Sequence, residues 1–166
     1  IPLLSIQHAP ESGALVLREE ISNYVSYDRE KIHRETGVDP ARLAMLLISG
    51  NSMEPTLRPG DRALMAYRDQ DKSGSDRGRE ARDEGTSADE DSPTAIRRGD
   101  MSLQDGSIYL FQNVRRGAIM KRLWWEDAGT VRLESDNSKG STIHVDITGK
   151  EKWAVLGRIV RVEKSL

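Results

Sequence analysis

A serine in a turn and a lysine among apolar residues are the side chains whose surroundings suggest chemistry. Ser52 lies in ISGNSMEPTLRPGD, Ile48 to Asp61, directly after an apolar run that predicts a strand. A serine hydroxyl is a weak nucleophile until a neighbouring base takes its proton. The stretch therefore has two interpretations: a strand that runs into a turn built on Pro55, Pro59 and Gly60, or a nucleophile held where a strand ends.

A base for Ser52 has to come from elsewhere in the chain. The three histidines are His8, His33 and His144, and their local sequences do not suggest an oriented triad. A lysine can act instead when an apolar site lowers its pKa toward neutrality. Lys121 in GAIMKRLWW shares a strand face with Ile119 and Leu123, because residues two apart point the same way. It is a candidate for desolvation, and the alternative is that its stem snorkels out of a half-buried sheet.

Two segments together resemble the LexA-like serine peptidases. GNSMEPTLRPGD is similar to the nucleophile motif of that family, and GAIMKRL is similar to its strand with the lysine base. LESDN, Leu133 to Asn137, and VLGRIVRV, Val155 to Val162, also fit the family. The resemblance implies the C-terminal domain of a phage- or prophage-type CI repressor, preceded in a longer protein by a helix-turn-helix domain that this chain lacks.

The resemblance also implies roles for individual residues. Ser52 Oγ would attack a peptide carbonyl, Lys121 would accept its proton, and backbone N–H groups near Ser52 would stabilise the oxyanion. The residues that would line the cleft or shape and tie the turn are Met53, Pro55, Pro59, Gly60 and Asp61. Met53 is expected either in the cleft or beneath the turn. No metal and no cofactor are expected.

The first 20 residues contain the candidate cleavage site. Two apolar runs flank a turn, which favours an extended arm with a kink over a core element. Members of the family that cleave themselves do so ahead of the domain, before a glycine that follows a small residue. Ser12 and Gly13 in PESGALVL are the best match, and an ordinary turn is the alternative.

Residues 21–166 are predicted to form a mostly β domain of the LexA/signal-peptidase type. A short helix begins after Ser26 or Asp28 and stops at Gly37. Apolar alternation then predicts about seven strands. Residues 69–104 are predicted to be a polar insertion, because from Asp69 to about Pro93 the only apolar side chains are two alanines. Its role is either a contact surface or a solvated loop.

Composition excludes several classes of function. Charged residues make up 31%, yet the formal net charge is only −2, so the chain lacks the basic footprint of a nucleic-acid-binding domain. The absence of cysteine excludes disulfides and thiol catalysis. No apolar run approaches the roughly 20 residues of a membrane span, and a cytoplasmic location is expected. The chain begins IPLLSIQ, without methionine, and is expected to be part of a longer protein.

The resemblance implies a regulatory and dimerisation domain of a transcriptional repressor, with a Ser-Lys dyad for self-cleavage of the arm. Its expected partners are a second copy, DNA through the missing domain, and a RecA filament. The long apolar final strand, WAVLGRIVRVEK, is typical of an edge strand that seeks a partner, while Leu123 to Trp125 could cover the core or serve the interface. The alternatives are an inert oligomerisation module and a processing protease resembling signal peptidases.

Overall fold

The computed structural model describes residues 1–8, 15–68, 95–97, 100 and 102–166, and the side chains of all of these except 7–8 and 15–23. The described part forms one nine-stranded sheet with one α-helix, so the predicted mostly β fold is confirmed. The strands and the helix are β1 Pro2–His8, β2 Leu15–Tyr24, α1 Arg29–Thr36, β3 Leu43–Leu47, β4 Arg62–Tyr67, β5 Ile108–Asn113, β6 Gly117–Asp127, β7 Thr130–Glu134, β8 Thr142–Asp146 and β9 Trp153–Glu163.

The strands lie in the order β2, β1, β3, β4, β9, β5, β6, β7, β8. Neighbouring strands are antiparallel except β1 and β3, which are parallel. A further pairing joins Leu15 of β2 to Gly117 of β6. Because β2 is at one end of this order and β6 is near the other, the sheet must curl to bring them together.

The helix is placed by its two caps. The Asp28 side chain accepts a hydrogen bond from the Lys31 N–H at 3.0 Å, and Gly37 ends the helix with φ +70°. Glycine adopts this left-handed conformation without the steric cost that a Cβ brings. Of the two predicted N-caps, Asp28 is the one that the structure uses. Ile32 is the buried residue of the helix and packs against Leu43 and Leu64.

Alternation along the strands divides the buried side chains into clusters. The first contains Met53 and Leu57 of the turn, together with Leu110 and Met120. The second contains Tyr109, Phe111, Leu123, Leu133 and Val155, and Trp125 packs against it. Leu123 and Trp125 therefore cover the core, which is one of the two uses predicted for that segment.

The N-terminal segment departs from the sequence prediction. Leu4 is only 3% exposed and belongs to the first core cluster, and β1 pairs with both β2 and β3. The prediction of an arm outside the core was therefore wrong for this strand. The parallel pairing with β3 could not be read locally, because it joins segments about 40 residues apart. The sheet has nine strands instead of the predicted seven, because β1 and β2 belong to it as well.

The last strand also differs from its prediction. β9 lies between β4 and β5 and pairs with both, so it is a central strand and not an edge. Its apolar character reflects packing against the core, because Val155 lies in the second cluster while Leu156 and Ile159 pack against the first. The sequence of β9 is therefore not evidence for a dimer, because both edges of this strand are already paired.

The predicted insertion at residues 69–104 falls mostly outside the described residues, which resume at Ala95. Ala95 forms an isolated bridge with Ala154, and Ile96 and Leu103 are buried in the second cluster. These residues at the end of the segment therefore pack against the sheet.

Candidate functional site

Ser52 lies in the connection between β3 and β4, and backbone hydrogen bonds close this connection at its base. The Ile48 N–H donates to Asp61 O at 2.9 Å, and the Gly60 N–H donates to Ile48 O at 2.8 Å. Met53 is buried beneath the turn in the first core cluster. Ser52, half-buried, is thereby held at a fixed place next to the end of β3.

Asp61 ties the turn together. Its carboxylate accepts hydrogen bonds from the N–H groups of Ser165 and Arg58, each at 2.9 Å, and from Lys164 Nζ. These contacts, the two backbone donors first, lower the pKa of Asp61 to about 2. Gly60 next to it has φ +90°, and Pro55 lies within the turn after a cis peptide bond. These placements suit residues that shape the backbone.

Lys121 is buried in the middle of β6. It is 6% exposed, and its cross-strand partner Tyr109 belongs to the second core cluster. Nζ donates to Ser135 Oγ at 2.5 Å and to the carbonyl oxygen of Ser141 at 3.1 Å. Burial, and secondly the positive charge of Arg116, lower the pKa of Lys121.

The surroundings of Lys121 suit a neutral amine. An ammonium has three N–H donors, and among the described residues Lys121 finds two acceptors and no carboxylate. A neutral amine has two donors and one lone pair. Both donors are then satisfied, and the lone pair remains available to accept a proton.

The loop between β7 and β8 contacts both the Ser52 turn and Lys121. The Asn137 N–H donates to Ser52 O at 3.0 Å, and Asn137 Nδ2 donates to Asn51 O at 3.0 Å. Asn137 is two residues from Ser135, which contacts the amine. Within the described part of the chain, however, the Ser52 hydroxyl makes no hydrogen bond to Lys121. The turn packs into the first core cluster through Met53, whereas Leu123, on the strand face of Lys121, belongs to the second, so the dyad stays a prediction.

A charged network fixes the same loop to β6. Arg122 donates to both oxygens of Asp136, from Nε at 2.8 Å and from Nη2 at 2.6 Å. Thr56 Oγ1 of the turn donates to Asp136 Oδ2 at 2.5 Å. The hydrogen bonds from Arg122 lower the pKa of Asp136. One carboxylate therefore holds the Ser52 turn, the loop and the strand of Lys121 in register.

Sequence reasoning missed Ser135 and Asp136 as individual site residues. Arg122 pairs with Glu134 in the register of β6 and β7, so continuing that register sets Ser135 opposite Lys121. The signal was the short hairpin EDAG, but a bulge between Trp125 and Asp127 shifts the count. The register could therefore not be fixed by counting residues from the turn.

The candidate cleavage site, Ser12 and Gly13, lies outside the described residues. They belong to the connection between β1, which ends at His8, and β2, which begins at Leu15. The structure therefore leaves this prediction as it stood.

Comparisons with known proteins identify no family. No family model matches the chain, and no curated protein sequence matches it significantly. In the described ranges, no helix is long and apolar enough to cross a membrane. The same residues contain no cluster of three or more His, Asp or Glu side chains that could hold a metal ion.

Proposed function

We propose that this chain is a Ser-Lys peptidase module that cleaves its own N-terminal segment, within the regulatory and dimerisation domain of a transcriptional repressor. The observation that carries the catalytic part is Lys121, a buried amine without a carboxylate partner among the described residues, whose pKa is lowered by burial. A lowered pKa raises the fraction of neutral amine, which is the form that acts as a general base. The repressor part rests on the resemblance of Ser52 and Lys121 with their flanking residues to the LexA-like peptidases.

The reaction uses groups of this chain alone. Substrate brings Ser52 Oγ within hydrogen-bond reach of Lys121 Nζ, as catalytic contacts often tighten only in the complex. Oγ attacks the peptide carbonyl carbon while Nζ takes the hydroxyl proton. The C–N bond then breaks, and Nζ returns the proton to the leaving amine. Water hydrolyses the resulting ester and releases the acid.

The oxyanion would be stabilised by the backbone of the turn. In the described part of the chain, the N–H groups of Ser52 and Met53 donate no hydrogen bond. Two unused donors beside a nucleophile are the arrangement that stabilises a tetrahedral intermediate. They support Ser52, rather than Ser135, as the attacking hydroxyl.

The substrate segment would be the connection that contains Ser12 and Gly13. Small side chains fit a narrow cleft, and the following apolar residues belong to β2, a strand of the same sheet. Pairing of a substrate with a sheet edge is a common way to align a peptide. A second copy of the chain, DNA through a preceding helix-turn-helix domain, and a RecA filament that stimulates cleavage complete the proposal.

Self-cleavage is testable with purified protein at mildly alkaline pH, with and without an activated RecA filament. We expect new fragments that begin near Gly13, measured by mass spectrometry. Ser52→Ala and Lys121→Ala should each slow their appearance by about a thousandfold or more, since a dyad acts as a unit. Ser135→Ala removes an acceptor of Lys121 Nζ and should slow cleavage without abolishing it. Ser138→Ala, an exposed serine of the same loop, is the matched control.

Two outcomes would contradict this assignment. Loss of cleavage in Ser135→Ala with retention in Ser52→Ala would move the nucleophile to Ser135. No fragment under any condition would favour an inert oligomerisation module. That second candidate is favoured by one observation, the absence of a hydrogen bond between the Ser52 hydroxyl and Lys121 in the described structure.

A further inference from the structure

A second feature of the fold is a cavity of about 670 Å³. It lies beside the C-terminal end of β4 and the middle of β9. The segment before β5 and the residues after α1 form its other walls. Its lining includes neither Ser52 nor Lys121, so it is separate from the candidate catalytic site.

The lining of this cavity is strongly basic. Its arginines are Arg42, Arg68, Arg97 and Arg158, and the carboxylate among the described lining residues is Asp100. The chain as a whole has a net charge of −2. The excess of arginine among the described lining residues is therefore produced by the fold and does not follow from overall composition.

One ion pair builds the wall of the cavity. Arg68 Nη2 contacts Asp100 Oδ2, and the two side chains are only 14% and 11% exposed. The Ser102 N–H donates to Asp100 Oδ1 at 3.0 Å. Burial raises the pKa of Asp100, but the Ser102 hydroxyl and Arg68 outweigh it, and the pKa is lowered. The Asp100 carboxylate is thus charged and already paired, and it fixes the segment before β5 to Arg68.

The charges of Arg97 and Arg158 are not matched in this way. Arg158 Nη1 donates to the neutral Gln104 Oε1 at 2.8 Å. In the described part of the chain, neither arginine has a carboxylate within ion-pair distance. A guanidinium stays charged at all physiological pH values. Two guanidinium groups that line one cavity, neither paired with a carboxylate of the described residues, form a site for anionic groups, which they bind with paired N–H donors.

We propose that this cavity binds a small organic anion through Arg97 and Arg158. The ligand carries phosphate or carboxylate groups, both of which match the planar donor set of arginine. The volume lies within the range of about 300–1,000 Å³ that is typical of small-molecule sites. Tyr67 and Val155 contribute apolar surface to the lining, which accommodates the organic body of such a ligand.

Isothermal titration calorimetry on the whole chain at low salt tests this site. The probes are pyrophosphate, citrate and ADP, with adenosine as the uncharged comparison. At least one of the three anions should bind with submillimolar affinity, and adenosine should not. Binding of ADP and pyrophosphate without citrate would identify phosphate as the recognised group, and the reverse would identify carboxylate. Added salt should weaken binding, because it screens the charges.

Variants locate the binding in the cavity. Arg97→Gln and Arg158→Gln should each weaken the bound anion at least about tenfold, as hydrogen bonds to charged groups are the strong ones. Arg115→Gln, an exposed arginine in the β5–β6 turn outside the cavity, removes the same charge and should leave the affinity unchanged. Circular dichroism checks that each variant is folded.

The proposal is overturned by either of two results. One is that none of the three anions binds to the wild-type chain at millimolar concentration. The other is that Arg115→Gln weakens binding as much as the cavity variants, since the attraction would then be a general effect of net charge.

Discussion

Lys121→Met is expected to abolish self-cleavage and to leave a protein that is at least as stable as the wild type at pH 7. Methionine fills a similar volume, and it removes an amine whose charged form is penalised by burial. We expect the free energy of unfolding to stay unchanged or to rise by up to about 2 kcal/mol. Two acceptors, Ser135 Oγ and the carbonyl oxygen of the exposed Ser141, lose the amine as their hydrogen-bond donor. Water can replace the amine at Ser141.

The pH dependence gives a sharper signature. The pKa of Lys121 is lowered in the folded chain and returns to about 10.5 on unfolding. Between these two values the unfolded state binds more protons, so the contribution to stability rises with pH. This contribution is fully present above the pKa of Lys121 in the unfolded chain, and it is lost as pH falls toward the pKa in the folded chain. The advantage of Lys121→Met should therefore shrink as pH rises.

Urea unfolding at neutral and alkaline pH measures both effects. Lys139→Met, an exposed lysine in the loop after β7, is the matched control and should change stability by less than about 0.5 kcal/mol at either pH. A large destabilisation of Lys121→Met that is the same at both pH values would contradict a desolvated lysine. It would mean that a well-paired ammonium is present in the folded chain.

Asp136→Asn is expected to destabilise the fold and to slow any cleavage. The substitution removes the negative charge and replaces one carboxylate oxygen by an NH2 group, so Arg122 loses its ion pair and one of its two hydrogen bonds, and the contact with Thr56 weakens. Removing one partner of a fully buried pair costs about 3–5 kcal/mol. Arg122 is 25% exposed, so water offsets part of the loss and we expect about 2 kcal/mol. Cleavage should slow because the turn of Ser52 loses its tie to β6.

Acid unfolding provides the second readout for Asp136. Its pKa in the folded chain is lowered from the usual 3.8, first by the hydrogen bonds from Arg122. The carboxylate therefore contributes stability that is present above pH 3.8 and is lost as pH falls below it. Asp136→Asn should lack this part of the acid transition.

Glu151→Gln is the matched control for Asp136→Asn. Glu151 pairs with Arg116 at 3.8 Å, but both side chains are more than 40% exposed. Removing this surface pair should cost less than about 1 kcal/mol. Equal losses in the two variants would show that Asp136 acts only as another surface charge, and that it does not hold the turn.

Much of the fold could be predicted from local signals. The alternation in TIHVD predicts a strand with one buried face, and the structure buries Ile143 and Val145 in β8. Asp28 and Gly37 bound the helix because the Asp28 carboxylate accepts from an N–H of the first turn and Gly37 adopts the left-handed backbone conformation that ends the last turn. The candidate site was predictable only as separate pieces: Ser52 in its turn, and Lys121 on an apolar face.

The sequence by itself determined strands β3 to β9, the helix and the apolar setting of Lys121, because alternation and capping act between residues close along the chain. Only the tertiary structure decided that β9 is central, that β1 runs parallel to β3, and that Ser135 and Asp136 meet the strand of Lys121. It also brought arginines from four separate segments around one cavity. Such pairings depend on which surfaces bury each other best, and the free energy of that burial is a property of the whole sheet.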